Sequence, residues 1–247
     1  MRLSVVIPAF NEARRLPPNL DEIARYLGGH PRWLPAEILV VDDGSLDGTA
    51  ATADAAPPVD GVTIRCLRHD RNRGKGAAVR TGFGAARGDA ILLCDADLST
   101  PIDELETLDR ALAGGVAIGS RAIDRSRIEI RQPRYRDLMG RVFNLAVRLL
   151  AIPGIRDTQC GFKLFDGELG RRLASRQRLD GFAFDVELLV LTHAAGRPIH
   201  EVPVRWRHVE ESRVQPMVHS ADMFVDLLRL GWWRRTGRLD PPAPPGP

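Results

Sequence analysis

The sequence predicts an α/β fold in which a mainly parallel sheet is flanked by helices on both faces. Short runs of Val, Ile and Leu alternate with helical segments through the first half of the 247 residues. Continuous apolar runs of this kind are typical of strands that are buried on both faces. Several of these runs end in acidic residues, as expected where an open sheet binds a ligand at the carboxyl ends of its strands. The composition, 44% hydrophobic and 27% charged, is that of an ordinary globular protein.

The first half of the chain repeats a strand–helix unit. Each predicted strand is rich in branched apolar residues, and Gly28 and Gly29 end the first predicted helix. The predicted strands are 3–10, 36–45, 62–69 and 89–97, and the predicted helices are 16–29, 47–55 and 75–86.

The second half is less regular but keeps both element types. In its first long helix the polar residues Arg141, Asn144 and Arg148 recur at helical spacing, so the remaining faces are apolar. We expect one domain over 1–213, an amphipathic membrane-associated helix over 214–238 and a disordered, proline-rich tail over 239–247. The predicted elements are strand 115–122, helix 137–152, turn and strand 157–165, helix 184–196, strand 199–209 and helix 220–233.

The stretch "LLCDADLST" suggests a metal site. If Asp95 and Asp97 continue the strand, their side chains point to the same face, and the two like charges need neutralising. Mg²⁺ or Mn²⁺ satisfies two carboxylates together with phosphate oxygens. The alternative is that the aspartates cap the next helix. Ser99 and Thr100 already offer that cap, which favours the metal.

Two further stretches carry weaker signals. Asp42, in "VVDDGSLDGT", ends a strand and can accept hydrogen bonds from a nucleoside, although Asp-Gly-Ser is also a common turn. "NRGKGAAVRTG" lacks the Ser or Thr that follows the lysine of a phosphate-binding P-loop. Lys75 begins a helix, where it faces a phosphate or is simply solvated.

Charge and cysteine content narrow the function classes. Residues 121–148 contain eight arginines and three acids, which indicates an anion or an anionic membrane as the partner, or a solvated helix face. We expect no nucleic-acid partner. Cys66, Cys94 and Cys160 form no CxxC pair, so we expect buried, reduced thiols in a cytoplasmic protein. No apolar run reaches about 18 residues, and the first strand opens the chain, so we expect neither a membrane span nor a signal peptide.

Five stretches in this order, "VVIPAFNE", "VVDDGSLDGT", "NRGKGAAVRTG", "DADLS" and "GSR", resemble family 2 glycosyltransferases of the GT-A, Rossmann-like fold. "RDLMGRVFN", "RDTQCGFKLF" and "FAFDVELL" are similar to the polyprenyl- and dolichyl-phosphate sugar synthases, above all their dolichyl-phosphate beta-glucosyltransferase branch. The resemblance covers residues 3–213. It implies an inverting transfer of a hexose, glucose from UDP-glucose, to a polyprenyl or dolichyl phosphate.

The resemblance also implies residue roles. Asp95, Asp97 and Arg121 are implied as catalytic, with Asp97 as the ligand of Mg²⁺ or Mn²⁺ and Arg121 between the donor and acceptor phosphates. Arg136 and Gly140 are implied at the acceptor phosphate, and Gly140 replaces a serine of the family. The residues implied in donor binding are Pro8, Phe10, Glu12, Val40, Asp42, Lys75, Ala96, Arg207 and Arg213.

Several alternatives remain open on the sequence. Asp185 and Glu187 act as a base in relatives with hydroxyl acceptors, or else position Arg207 or the acceptor loop. The sugar is glucose, mannose or an N-acetylhexosamine. The acceptor is a lipid phosphate or a protein or glycan hydroxyl, and a non-catalytic nucleotide-sugar-binding membrane protein is the third reading.

A lipid acceptor needs an apolar surface next to the site. Helices 138–152 and 220–233 supply one, with Trp232, Trp233 and the following arginines at the headgroup level, unless both helices pack on the core or on a membrane-protein partner. We therefore expect a peripheral protein on the cytoplasmic face of a membrane.

Overall fold

The computed structural model describes residues 1–209 and 216–239. Its main sheet has seven strands in the order β3-β2-β1-β4-β7-β5-β8, and β6 pairs separately with β9. The strands are β1 (Leu3–Ala9), β2 (Ala36–Asp42), β3 (Val62–Arg68), β4 (Ala90–Cys94), β5 (Val116–Ser120), β6 (Ile128–Ile130), β7 (Phe162–Asp166), β8 (Ile199–Pro203) and β9 (Trp206–Arg207).

The sheet is mainly parallel, as predicted. β1 pairs in parallel with β2 and β4, β2 with β3, and β5 with β8. β7 is inserted antiparallel between β4 and β5. The carboxyl ends of β1, β2 and β4 therefore meet at one edge, which is the edge where their acidic residues lie.

Helices cover both faces of this sheet. Successive residues of β1 belong to different cores, since Val6 packs in one apolar cluster and Val5 and Ile7 in the other. Leu16 and Leu20 of α1 join the second cluster, and α3, α6 and α7 pack on the first. The helices are α1 (Leu16–Gly28), α2 (Thr49–Asp54), α3 (Lys75–Ala85), α4 (Leu105–Ala111), α5 (Arg134–Leu150), α6 (Gly167–Arg176), α7 (Phe184–Ala194) and α8 (Pro216–Arg235).

Several predicted boundaries differ from the structure. Strand 89–97 ends at Cys94, so the two aspartates that follow lie in a turn. Strand 199–209 divides into β8 and β9, because Pro203 offers no N–H to continue the ladder. α5 begins three residues earlier than predicted and α8 four residues earlier. The unpredicted α6 begins where the Asp166 side chain accepts a hydrogen bond from the Leu169 N–H.

α5 and α8 lie against each other and leave apolar side chains exposed. Leu227 and Leu230 anchor α8 in the core, and Val147 anchors α5. In the described part of the chain, no helix has the length and apolar character needed to cross a membrane. The large apolar side chains that are exposed on these two helices are Tyr135, Leu138, Val142, Leu145, Leu149, Phe224, Val225, Leu228 and Trp232.

The predicted segment boundary at 213/214 lies outside the described residues, as does the predicted tail from residue 240 onward. All three cysteines are free, as predicted, but only Cys94 and Cys160 are buried, whereas Cys66 is partly exposed.

Candidate active site

A cleft of about 630 Å³ opens between the carboxyl end of β4 and the helices α5 and α8. One part of it is charged, lined by Lys75, Asp95, Asp97 and Arg121. The other part is apolar. Its lining from the two helices includes Leu138, Met139, Val142, Phe143, Ala146, Met223 and Phe224.

The acidic pair lies in a tight turn rather than in a strand. Asp97 Oδ1 accepts a hydrogen bond from the Ser99 N–H at 3.0 Å, and Leu98 between them has a positive φ of 46°. A buried leucine in this conformation is strained, and such strain is common at functional sites. The Ala96 carbonyl accepts from Asn19 Nδ2 of α1 at 2.8 Å. The turn is therefore fixed from both sides, and both carboxylates line the cleft.

The predicted helix cap is absent at this turn. Neither the short 3₁₀ turn Ile102–Glu104 nor α4 has a side-chain cap at its start. Ser99 and Thr100 therefore do not cap the helix, and this part of the argument for a metal was wrong. What favours a cation is instead the charge balance of the turn itself.

That charge balance is negative. Lys75 Nζ contacts Asp95 Oδ1 at 2.7 Å, so one lysine compensates one of two carboxylates and is not simply solvated. Burial, reinforced by the charge of Asp95, raises the pKa of Asp97 above its ordinary value. The site therefore favours a cation or a proton near Asp97.

Two glycines allow Lys75 to approach the acidic turn. Gly74 has a φ of 104°, and a Cβ there would lie 2.3 Å from the Asp180 carbonyl oxygen. The Gly76 N–H donates to the same oxygen at 2.7 Å. Asp43 accepts from the Gly74 N–H at 2.8 Å and binds the loop from the opposite side. The glycines therefore serve close packing in this loop.

Arg121, at the end of β5, is held by Asp157. Its Nε and Nη2 each donate to an Asp157 oxygen at 2.7 Å, and its backbone N–H donates to the same carboxylate at 3.0 Å. The guanidinium also lies over the ring of Trp206. Although burial opposes ionisation, Arg121 keeps the pKa of Asp157 below its ordinary value. The arginine is therefore charged and fixed where it lines the cleft.

Arg136 and Gly140 line the cleft from α5, one helical turn apart. Arg136 Nε donates to Tyr135 Oη at 3.2 Å. Arg136 lies inside the first turn of α5, whereas the sequence placed it just before the helix. A Cβ on Gly140 would meet no atom within 4 Å, so this position leaves open space beside the arginine.

The implied nucleoside residues lie at the same edge of the sheet but are not among those that line this cleft. Pro8 and Val40 belong to the paired strands β1 and β2. Glu12 is paired with Arg15, and Asp42 Oδ1 accepts from the Ser45 N–H at 3.0 Å. Phe10 is 38% exposed.

Arg207 is likewise not part of the cleft lining, although its N–H donates to the Ser99 carbonyl oxygen at 2.9 Å. Arg213 lies outside the described residues.

Asp185 and Glu187 have different surroundings. Asp185 lines the cleft and is paired with Lys163, which is fully buried. Burial raises the pKa of Asp185 against the opposing pull of that lysine. Glu187 accepts from the N–H groups of Arg178 and Leu179 at 2.9 and 2.8 Å. Its carboxylate supports that loop, so neither acid is paired with Arg207.

Sequence reasoning missed several residues that the cleft brings together. Gly161 packs so closely on Asp95 that a Cβ there would lie 1.9 Å from Oδ2. Gln159, Gln132 and His208 also line the cleft. The available signal was the stretch "RDTQCGFKLF", which contains Asp157, Gln159 and Gly161, but nothing in it distinguishes their roles.

Comparisons with known proteins agree with this geometry. Residues 4–173 match the family described as Glycosyl transferase family 2. The chain is 37% identical to a human dolichyl-phosphate beta-glucosyltransferase over 94% of its length and 78% of the relative's. Identity to the Drosophila melanogaster enzyme of the same name is 38%, over 95% and 77% of the two lengths.

Solved structures share the fold at lower identity. Glucosyl-3-phosphoglycerate synthase from Mycobacterium tuberculosis with UDP aligns with a TM-score of 0.69 at 20% identity, over 94% of this chain and 80% of that one. The same enzyme with Mn²⁺, UDP and phosphoglyceric acid gives 0.62 at 21% identity, over 98% and 80%. The chain is therefore a glycosyltransferase of the GT-A fold and belongs to glycosyl transferase family 2.

Proposed function

We propose that this protein transfers glucose from UDP-glucose to the phosphate of a polyprenyl lipid at a membrane surface, with inversion at the sugar. The observation that carries the proposal is the continuity of the cleft, which runs from the acidic turn to the apolar flanks of α5 and α8. A charged donor and a long apolar acceptor need such a junction. The names of the human and Drosophila relatives support dolichyl phosphate as the acceptor class.

The acidic turn fits a divalent cation. Asp97 supplies a carboxylate oxygen, the ligand type that Mg²⁺ and Mn²⁺ prefer, and Lys75 leaves part of the negative charge uncompensated. Within residues 1–209 and 216–239, no three His, Cys, Asp or Glu side chains are grouped as ligands. We infer that Asp97 holds the ion together with diphosphate oxygens. The bound ion would stabilise negative charge on the leaving diphosphate.

The reaction needs positioning more than proton transfer. A lipid phosphate is already anionic near neutral pH, so its oxygen can attack the anomeric carbon without a strong base. The new bond forms as the bond from that carbon to the diphosphate breaks, and UDP leaves with the electron pair. Arg121 and Arg136 would hold the incoming phosphate, with Arg121 also facing the diphosphate. Fixed cations of this kind lower the barrier by orientation and charge stabilisation.

The lipid chain and the membrane would lie against α5 and α8. Five large apolar side chains of α5 are 49–72% exposed, and they recur every three or four residues along one side of the helix. Arginines flank them at positions 141 and 148. An exposed apolar stripe beside arginines is typical of a helix lying in the membrane interface. We therefore propose peripheral attachment on the cytoplasmic face, with or without a membrane-protein partner.

A panel of radiolabelled nucleotide sugars tests the proposed function. The purified protein is incubated with each donor, with Mg²⁺ or Mn²⁺, and with liposomes that contain a polyprenyl phosphate. Label from UDP-glucose in the lipid phase supports the proposal. Label from GDP-mannose or UDP-N-acetylglucosamine alone would mean that the transferred sugar is mannose or N-acetylglucosamine and not glucose. Nucleotide-sugar binding without transfer to any acceptor would contradict catalysis.

A further inference from the structure

One loop joins the two halves of the charged cleft. At its start, Asp157 holds Arg121 through two hydrogen bonds of 2.7 Å. At its end, the Gly161 carbonyl accepts from the Asp95 N–H at 3.1 Å. A Cβ on Gly161 would lie 1.9 Å from Asp95 Oδ2, so the loop backbone presses directly on the acidic turn. The loop thus spans from the catalytic arginine to the diphosphate-binding acids.

Three residues lie between those ends, and two of them point away from the cleft. Thr158 is fully buried, and its hydroxyl donates to Asn144 Oδ1 of α5 at 2.9 Å. Cys160 is buried beneath β5, with its Sγ 3.2 Å from the place of a Cβ on Gly119. Gln159, in contrast, lines the cleft.

Gln159 lies in the chain between Asp157, which holds Arg121, and Gly161, which contacts Asp95. Under the proposed function the transferred sugar would lie between the diphosphate, near Lys75 and Asp97, and the attacking phosphate, near Arg121. The groups at both ends are charged, whereas hexose hydroxyls are neutral and both donate and accept hydrogen bonds. A glutamine amide offers both functions without charge.

We propose that Gln159 recognises the hexose of the donor, with its amide bonded to sugar hydroxyls. This inference rests on the proposed function and adds a sugar-specificity residue to it. Such a contact acts on the sugar and not on the nucleotide. Loss of the amide therefore weakens binding of UDP-glucose more than binding of UDP. Discrimination between UDP-glucose and UDP-galactose, which differ in the orientation of one hydroxyl, falls as well.

The test compares affinities for UDP-glucose and UDP by isothermal titration calorimetry, with the full chain and Mg²⁺. For Gln159→Leu we expect affinity for UDP-glucose to fall about tenfold and affinity for UDP to change less than twofold, the size expected for lost neutral hydrogen bonds. Gln159→Asn keeps an amide and should show an intermediate loss of affinity for UDP-glucose. Thermal unfolding of both variants shows whether either substitution disturbs the fold.

Gln132→Leu is the matched control, because Gln132 lines the cleft on the arm that precedes α5. Its ratio of UDP-glucose affinity to UDP affinity should stay within twofold of the wild-type ratio. An equal fall in both affinities for the folded Gln159 variants, or no fall in either, would overturn the inference. Equal affinities of the wild-type protein for UDP and UDP-glucose would overturn the inference too. Failure of the wild type to bind either ligand would instead overturn the proposed function.

Discussion

Arg121 and Asp157 form a two-point ion pair, with Nε and Nη2 each 2.7 Å from a carboxylate oxygen. The carboxylate is almost fully buried, at 3% exposure, whereas the arginine side chain is 25% exposed at the cleft. Glu201 in turn accepts from the Asp157 N–H at 2.8 Å and from the Ser120 hydroxyl at 2.7 Å. The arginine is thus oriented by a planar contact that is fixed to the sheet.

Asp157→Asn should weaken transfer because it removes one charge of this pair and one acceptor oxygen. A lost charged hydrogen bond is worth about 1.5–3 kcal/mol, so we expect a ten- to hundredfold fall in kcat, measured with UDP-glucose and a polyprenyl phosphate. Affinity for UDP should change little. Asp124→Asn is the control, since the Asp124 side chain is 44% exposed and its contacts are local: it accepts from the Ser126 N–H and hydroxyl and pairs with Arg127 at 3.5 Å. Equal losses in both variants would contradict a positioning role for Asp157.

Gly161→Ala should abolish transfer by displacing Asp95. The added methyl group would lie 1.9 Å from Asp95 Oδ2 and 2.2 Å from its carboxyl carbon, so the Asp95 side chain would have to leave its place. We expect at least a hundredfold loss of activity in the steady-state assay. Gly84→Ala is the matched control, because a Cβ there meets nothing within 4 Å and alanine favours the helix. A fully active Gly161→Ala enzyme would mean that Asp95 can move without consequence.

Asp97→Asn should abolish turnover and leave the fold intact. The substitution removes the charge that we assign to the cation and also relieves the repulsion with Asp95, so thermal stability should not fall. UDP affinity, which we expect Mg²⁺ or Mn²⁺ to increase for the wild type, should become independent of the ion. Full activity of the wild type in excess chelator would exclude this role.

Arg136→Lys should impair use of the lipid phosphate while the donor still binds. Arginine grips two phosphate oxygens with its planar fork, and lysine offers only a point charge. We expect KM for the polyprenyl phosphate to rise about ten- to hundredfold, and the affinity for UDP-glucose to stay within twofold. The exposed Arg141, paired with Asp137 on the same helix, gives the control variant Arg141→Lys. Wild-type acceptor kinetics for Arg136→Lys would mean that the acceptor phosphate binds elsewhere.

Trp232→Ala should reduce membrane attachment. Trp232 is 50% exposed on α8, whereas Trp233 is partly buried against the core with Arg178 over its ring, so replacing both would also disturb packing. In liposome sedimentation with anionic lipids, we expect a larger soluble fraction for the single variant and weaker binding at high salt. Leu46→Ala is the control, because Leu46 is 95% exposed on the β2–α2 loop, away from α5 and α8. Equal partition of both variants would place the membrane contact elsewhere.

The parallel core was predictable from sequence because its signal is local. β1 and β2 are continuous apolar runs, and the structure buries every residue of both. The carboxyl edge of the sheet then follows from topology. α6 was not predictable, because its ten residues include two glycines and three arginines, and its N-cap Asp166 ends a strand.

The charged cleft was only partly predictable. Asp95, Asp97, Arg121 and Arg136 were identified from motifs, and the structure brings all four to one cleft. The Lys75–Asp95 pair was not predictable, because the loop that carries Lys75 is held by the backbone of Asp180, more than 100 residues further along the chain. Long-range contacts of this kind leave no periodic trace in the sequence.

The most direct test of the central claim compares two acceptors in one assay. Purified protein, Mg²⁺ and radiolabelled UDP-glucose are incubated with liposomes that contain either a polyprenyl phosphate or the polyprenol of equal chain length. The account predicts rapid transfer of label to the lipid phosphate and none to the alcohol, because the cleft binds an acceptor that is already anionic and offers no assigned base. Transfer to the alcohol at a comparable rate, or no transfer to the phosphate, would contradict it.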